Sequence, residues 1–189
     1  YEQGAAYEVL TGKDPNGATP DIRIIIGSSG YLQNELWFDP SPTRQTATVP
    51  VNRTDARSVF LHELGHAFAA RATGARAEIS LAFMMGYASF VPTRKLSRWE
   101  HVGISFAGPA TQIIIGAGAY LALGGPLWPI EGLTNTQFSA LWAGPVIGLF
   151  NLLPVLPFDG GNILEQAVGA FFPRRARQIM LWFSVVISV

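Results

Sequence analysis

The sequence predicts a mainly α-helical, polytopic membrane protein with a small β-rich segment at its start. Three observations carry that expectation. Residues 102–130 contain no Asp, Glu, Lys or Arg. Residues 132–158 contain none either. Both windows exceed the roughly 20 mostly apolar residues that a membrane-crossing helix needs, whereas buried helices of water-soluble proteins are usually shorter and keep charges along one stripe. The third observation is a contrast: residues 1–55 are polar, rich in turn formers and strand-like. The chain therefore divides into a β-rich extramembrane segment, 1–55, and a membrane-embedded core, 56–189. The start at Tyr1 rather than Met and the end inside the apolar run QIMLWFSVVISV make both termini read as cuts, so the core is expected to be truncated at its C-terminus.

Composition excludes several classes. Thirteen Lys plus Arg balance thirteen Asp plus Glu, giving a formal net charge of zero. Nothing in that balance attracts nucleic acid, and no nucleic-acid partner is expected. Cysteine is absent, which removes thiolate ligands, disulfides and cysteine nucleophiles together.

The elements follow in chain order. IRIII (Ile22–Ile26), YLQNELWF (Tyr31–Phe38) and TATVPV (Thr46–Val51) are strand candidates separated by Gly, Pro, Ser and Asn turns. A helix is expected to start with Thr54 or Asp55 as N-cap and to stop at Gly74. Leu61, Leu64, Phe68 and Ala72 can share one face of it. AEISLAFMMGYASFVP, from Ala77 to Pro92, is apolar, too short to span a membrane and interrupted by Gly86, so a hairpin of two short strands is expected. The basic run TRKLSR, Thr93–Arg98, stays in water. Two spans follow, one in each uncharged window, with Gly103, Gly108, Gly116 and Gly118 allowing close helix contacts in the first. Two spans put the basic clusters at 94–98 and 174–177 on the same side, which is cytoplasmic by the positive-inside rule.

The chemistry concentrates in FLHELGHAF, Phe60–Phe68. Residues i and i+4 of a helix project from one face, so His62 and His66 can direct imidazole nitrogens to one ion. Glu63 stands beside the first of them, where a carboxylate can take a proton from metal-activated water. Catalytic zinc commonly has three protein ligands. The candidates for the third are His101, Glu78, Glu100 and Asp159. An extended motif with Gly and His further along the same helix is excluded, because those positions are Ala69 and Ala72. Asp159 is preferred, since an acid ending a long apolar window is costly unless paired or bound to metal. A soluble or peripheral zincin using Glu78 or Glu100 is the alternative. A non-enzymatic membrane scaffold or transporter with an incidental motif is a further rival.

HELGH, FAGPATQ and NLLPVLPFDGG together resemble the site-2 proteases, the intramembrane zinc metalloproteases, from about Ser58 to the end. The resemblance implies that His62, His66 and Asp159 hold one Zn2+ and that Glu63 is the general base. It implies that Asn151 lies near the substrate, orienting it or stabilising an oxyanion. It implies hydrolysis of peptide bonds in or near transmembrane segments of other proteins, with the lipid bilayer as surroundings and the active site near the cytoplasmic face. Gln112 stands where the family usually has Asn, and no catalytic role is assigned to it. Phe158 stands where Leu is commoner.

Overall fold

The computed structural model describes residues 22–26, 36–37, 54–82, 85–127 and 131–188, with side-chain surroundings for 56–79, 88–127 and 131–187. Its strands are β1 (Ile22–Ile26), β2 (Leu36–Trp37), β3 (Thr54–Asp55), β4 (Arg76–Ala82) and β5 (Met85–Val91). β1, β4 and β5 form one sheet in that order. β4 and β5 are the expected antiparallel hairpin, with Arg76 opposite Val91 and Ala82 opposite Met85. Gly86 does not interrupt it; it lies within β5, paired with Leu81. β1 runs parallel to β4, Ile22 opposite Ala77 and Ile26 opposite Leu81, so a strand from the first 55 residues joins the hairpin in one sheet. β2 and β3 pair in parallel. Of the candidate 31–38, only Leu36–Trp37 is described as strand; the candidate 46–51 lies outside the described residues.

Helix α1 (Ala56–Ala72) carries the HELGH sequence. Thr54 and Asp55, expected as caps, form β3, and the helix begins directly after them. Gly74 ends it as expected, with φ of +85°, a conformation that side chains with a Cβ rarely adopt. The face shared by Leu61, Leu64, Phe68 and Ala72 is not the buried one. The buried residues of α1 are Ala56, His62, Glu63, Gly65, Ala67 and Ala70, while Phe68 is 55% exposed. Small residues make the close contacts of this helix. Ala56 and Ala67 pack with Ala77 and Ile79 of β4, and Leu64 is half-buried at the edge of that cluster. Ala70 packs with Ala75, Leu96 and Ile104.

Helix α2 (Arg98–Ala122) is the first expected span. Its N-terminus is a capping box in which Ser97 accepts from the Glu100 amide and Glu100 accepts from the Ser97 amide. Glu100 also pairs with Arg94. Among the described residues α2 is the one helix long and apolar enough to cross a membrane, and only 22% of its apolar window is buried. A core helix of a water-soluble protein would be mostly covered.

The second uncharged window forms one uninterrupted helical run of three parts, α3 (Asn135–Leu141), a π-helical turn (Trp142–Val146) and α4 (Ile147–Phe150), and the run ends before the window does. Residues 151–158 then turn, with a cis Leu156–Pro157 bond, into α5 (Asp159–Phe171) and α6 (Ala176–Ser188). The helical run passes Pro145 within the π turn, while Pro154 and Pro157, which lack the N–H that would continue a helix, lie in the turn that follows. Exposed apolar side chains cover much of the outside, including Ile114 (69%) on α2 and Trp182 and Val186 (72% each) on α6. Exposure on that scale marks a surface made for lipid or another protein.

Candidate metal centre

The sheet and α2 hold α1 from two sides, and the site forms where α1 and α2 meet the start of α5. Space there depends on small residues. A Cβ on Gly108 of α2 would overlap the His66 ring, and a Cβ on Gly65 of α1 would overlap the Ala107 carbonyl. These two glycines, one from HELGH and one from FAGPATQ, let the helices approach until the imidazoles lie between them.

Asp159 arrives by a different route. The turn 151–158 folds over the first residues of α5, and the Gly160 amide donates to the Asn151 carbonyl at 2.9 Å. Cβ atoms on Gly160 and Gly161 would overlap backbone atoms of Leu152 and Val155. The DGG sequence is thus what allows the turn to close. The Leu156 amide donates to Ser184 Oγ of α6 at 2.8 Å, which ties the turn from outside.

The result is a small triangle of donor atoms. His62 Nε2 lies 3.0 Å from Asp159 Oδ2. His66 Nε2 lies 3.4 Å from the same oxygen and 3.0 Å from His62 Nε2. Ligands about 2.0 Å from a tetrahedral zinc stand roughly 3.3 Å apart. The hydrogen bonds behind the rings agree with that fit. His66 Nδ1 lies 2.7 Å from the Ile104 carbonyl, which can only accept, so Nδ1 carries the proton and Nε2 presents a lone pair. His62 Nδ1 lies 2.9 Å from Gln112 Oε1. Two imidazole lone pairs and a carboxylate converging within such distances are satisfied by a cation. Two histidines and one carboxylate suit zinc.

Among the described residues this is the one group of three or more metal-binding side chains so placed. The other candidates for third ligand are not in it. Glu100 serves the capping box and Arg94. His101 stands against Phe90, ring centres 6.5 Å apart. Glu78 sits on β4, opposite Ser89 of β5. Glu63 is buried, with 5% exposure, and the Ala88 backbone amide of β5 lies against its carboxylate. Asn151 is half-buried at the end of α4, and its backbone closes the turn that carries Asp159.

Reasoning from residues missed Gln112. Its side chain is 3% exposed and touches the metal-binding face directly. Its place in FAGPATQ, two turns of helix from Ile104, was the available signal.

A His–Glu–x–x–His helix completed by a distant aspartate defines a zinc-metallopeptidase type of centre. Three comparisons say which. A sequence profile of Peptidase family M50 matches residues 123–189. A zinc metalloprotease of Methanocaldococcus jannaschii is 32% identical over 116 residues, 57% of this chain and 31% of that protein. A candidate zinc metalloprotease of Synechocystis is 30% identical over 145 residues, 69% of this chain and 37% of that protein. Among solved structures, a site-2 protease from Methanocaldococcus jannaschii superposes with a TM-score of 0.51 and 29% identity, covering 66% of this chain and 56% of that one. The resemblance to the site-2 protease family is thereby shown. The chain spans about a third of the length of these curated relatives.

Proposed function

We propose that this chain is the catalytic core of a zinc-dependent intramembrane endopeptidase, which hydrolyses peptide bonds in or near transmembrane segments of other proteins. The observation that carries the reading is the triangle of His62, His66 and Asp159 with Glu63 beside it, set among helices whose outer surfaces are apolar.

His62 Nε2, His66 Nε2 and Asp159 Oδ2 are the atoms that would hold zinc. When bound there, zinc supplies Lewis acidity and lowers the pKa of water to about 7. Glu63 takes one proton from the attacking water and delivers it to the leaving amide nitrogen. Water is added across the peptide bond: hydroxyl goes to the carbonyl carbon, the C–N bond breaks, and the proton ends on the new amine. Asn151 turns its amide to the substrate carbonyl, where a donor stabilises developing negative charge.

Depth supports the intramembrane reading. His66 meets α2 at Ile104 and His62 meets it at Gln112. At a rise of about 1.5 Å per residue, these levels lie roughly 9 and 21 Å from Arg98, inside a hydrocarbon core of about 30 Å. The protein is accordingly a multi-pass integral membrane protein. Its basic end at 94–98 is cytoplasmic by the positive-inside rule. A helical substrate must unwind before its backbone can react. β5 forms an edge of the sheet, with Ala88 against Glu63. An unwound segment added alongside β5 would bring a peptide bond to the site by main-chain pairing.

Glu63→Gln tests the reading. It should keep the wild-type zinc content and lower cleavage of a transmembrane peptide in liposomes by roughly 10²–10⁴-fold. An active variant would remove Glu63 from the mechanism.

A further inference from the structure

We propose that Gln112 is a positioning residue for the metal ligand His62. This rests on the zinc reading above. Its buried side-chain amide links the imidazole to the π-helical turn at Trp142–Val146.

The hydrogen bonds leave one arrangement. In the π turn, the Ile147 amide pairs with the carbonyls of Gly144 and Trp142. In a regular α-helix it would pair with Ala143. The Ala143 carbonyl instead accepts from Gln112 Nε2 at 2.6 Å. A carbonyl cannot donate, so the nitrogen of the Gln112 amide must face Ala143 and its oxygen must face His62. That oxygen in turn can only accept, so His62 carries its proton on Nδ1. Nε2 is then a bare lone pair aimed at His66 Nε2 and Asp159 Oδ2. The π turn therefore reaches the metal site through one amide.

His66 is held differently, by a backbone carbonyl that no substitution removes. His62 depends on a side chain. Partners behind a ligating histidine fix its tautomer and ring angle, and their loss typically weakens metal binding about 10–100-fold. The length of Gln matters too. Gln112 spans the two partners with bonds of 2.9 and 2.6 Å, the second a short one. The Asn usual in the resembled family is one methylene shorter. Close approach of α2 to the turn is already at its limit, since a Cβ on Gly116 would overlap Gly144.

The test uses the full chain in detergent, with zinc affinity read by chelator competition and the ligand field read from the cobalt(II) absorption spectrum. Gln112→Met keeps the volume and removes both bonds. It should raise the zinc dissociation constant about 10–100-fold and change the cobalt spectrum. Gln112→Glu keeps an oxygen towards His62 but sets its second oxygen against the Ala143 carbonyl, so it should recover the zinc affinity and the cobalt spectrum only in part. If Gln112→Met does not fold, Gln112→Asn carries the test, with the same direction expected. Wild-type affinity and spectrum in the Met variant, or in Asn if Met fails, would overturn the proposal. So would a lower unfolding temperature of the metal-free chain with no change in either metal readout, because that describes packing alone. Wild-type protein that binds no zinc would overturn the metalloprotease reading itself, and this inference with it.

Discussion

The two uncharged windows, 102–130 and 132–158, look alike in the sequence and fold in opposite ways. The first lies within α2 as far as Ala122, in a 25-residue helix that carries Pro109 without breaking. The second is seven residues of α-helix, a five-residue π turn, four more residues of α-helix and a turn that doubles back on α5. Apolar composition reports the solvent a segment is made for, and it does not report the path. The straight window supplies a wall: Gly108 beside one histidine, the Ile104 carbonyl behind it and Gln112 behind the other. The broken window delivers the acid. The turn is folded over the metal site and tied to α6.

If the broken window depends on its path and the straight one on its surface, substitutions should rank accordingly. Gly160→Ala should have the largest effect, because its Cβ would meet the backbone carbonyls of Leu152 and Leu153, which cannot rotate away. Overpacking costs about 1–3 kcal/mol and occasionally more. Thermal unfolding in detergent and zinc content should both fall. Gly108→Ala comes next. Its new methyl meets a side-chain ring, so stability should fall less than zinc affinity, a split that separates the wall from the turn. Ser184→Ala removes the acceptor of the Leu156 amide; a loss of about 1–3 kcal/mol is expected, with the histidines undisturbed. Gly103→Ala, on the same helix as Gly108 but with nothing within 4 Å of the added Cβ, should change neither property. Equal effects at positions 103 and 108 would dissolve the distinction.

Much of the site was legible before any coordinates. His62 and His66 follow from helix periodicity, and Asp159 from the cost of an acid at the end of an apolar stretch. The Ser97–Glu100 capping box was also readable from its spacing, and would have withdrawn Glu100 from the ligand candidates. Other features depended on the path. The spacing of Leu61, Leu64 and Phe68 shows that they share a face but not which face is buried, and this helix packs through Ala67, Ala70 and Gly65. The second window was read as one span from its length, whereas its helix ends at Phe150 and residues 151–158 turn back to bring in Asp159. The place of Gln112 in FAGPATQ pointed to the site, but its second partner, the Ala143 carbonyl, depends on the π turn, which the sequence did not show. Residue types mark chemistry well when one helix presents it, and poorly when two elements must first meet.

The central claim is that one zinc joins α1 to the end of the broken window. The most direct measurement is zinc per chain in detergent-purified wild type, Asp159→Ala and Glu78→Ala, assayed side by side. The account predicts about one zinc in wild type and in Glu78→Ala, following the ligand count of catalytic zinc sites, and a large loss in Asp159→Ala. Zinc retained in Asp159→Ala and lost in Glu78→Ala would contradict it, and would move the site from the turn before α5 to the sheet.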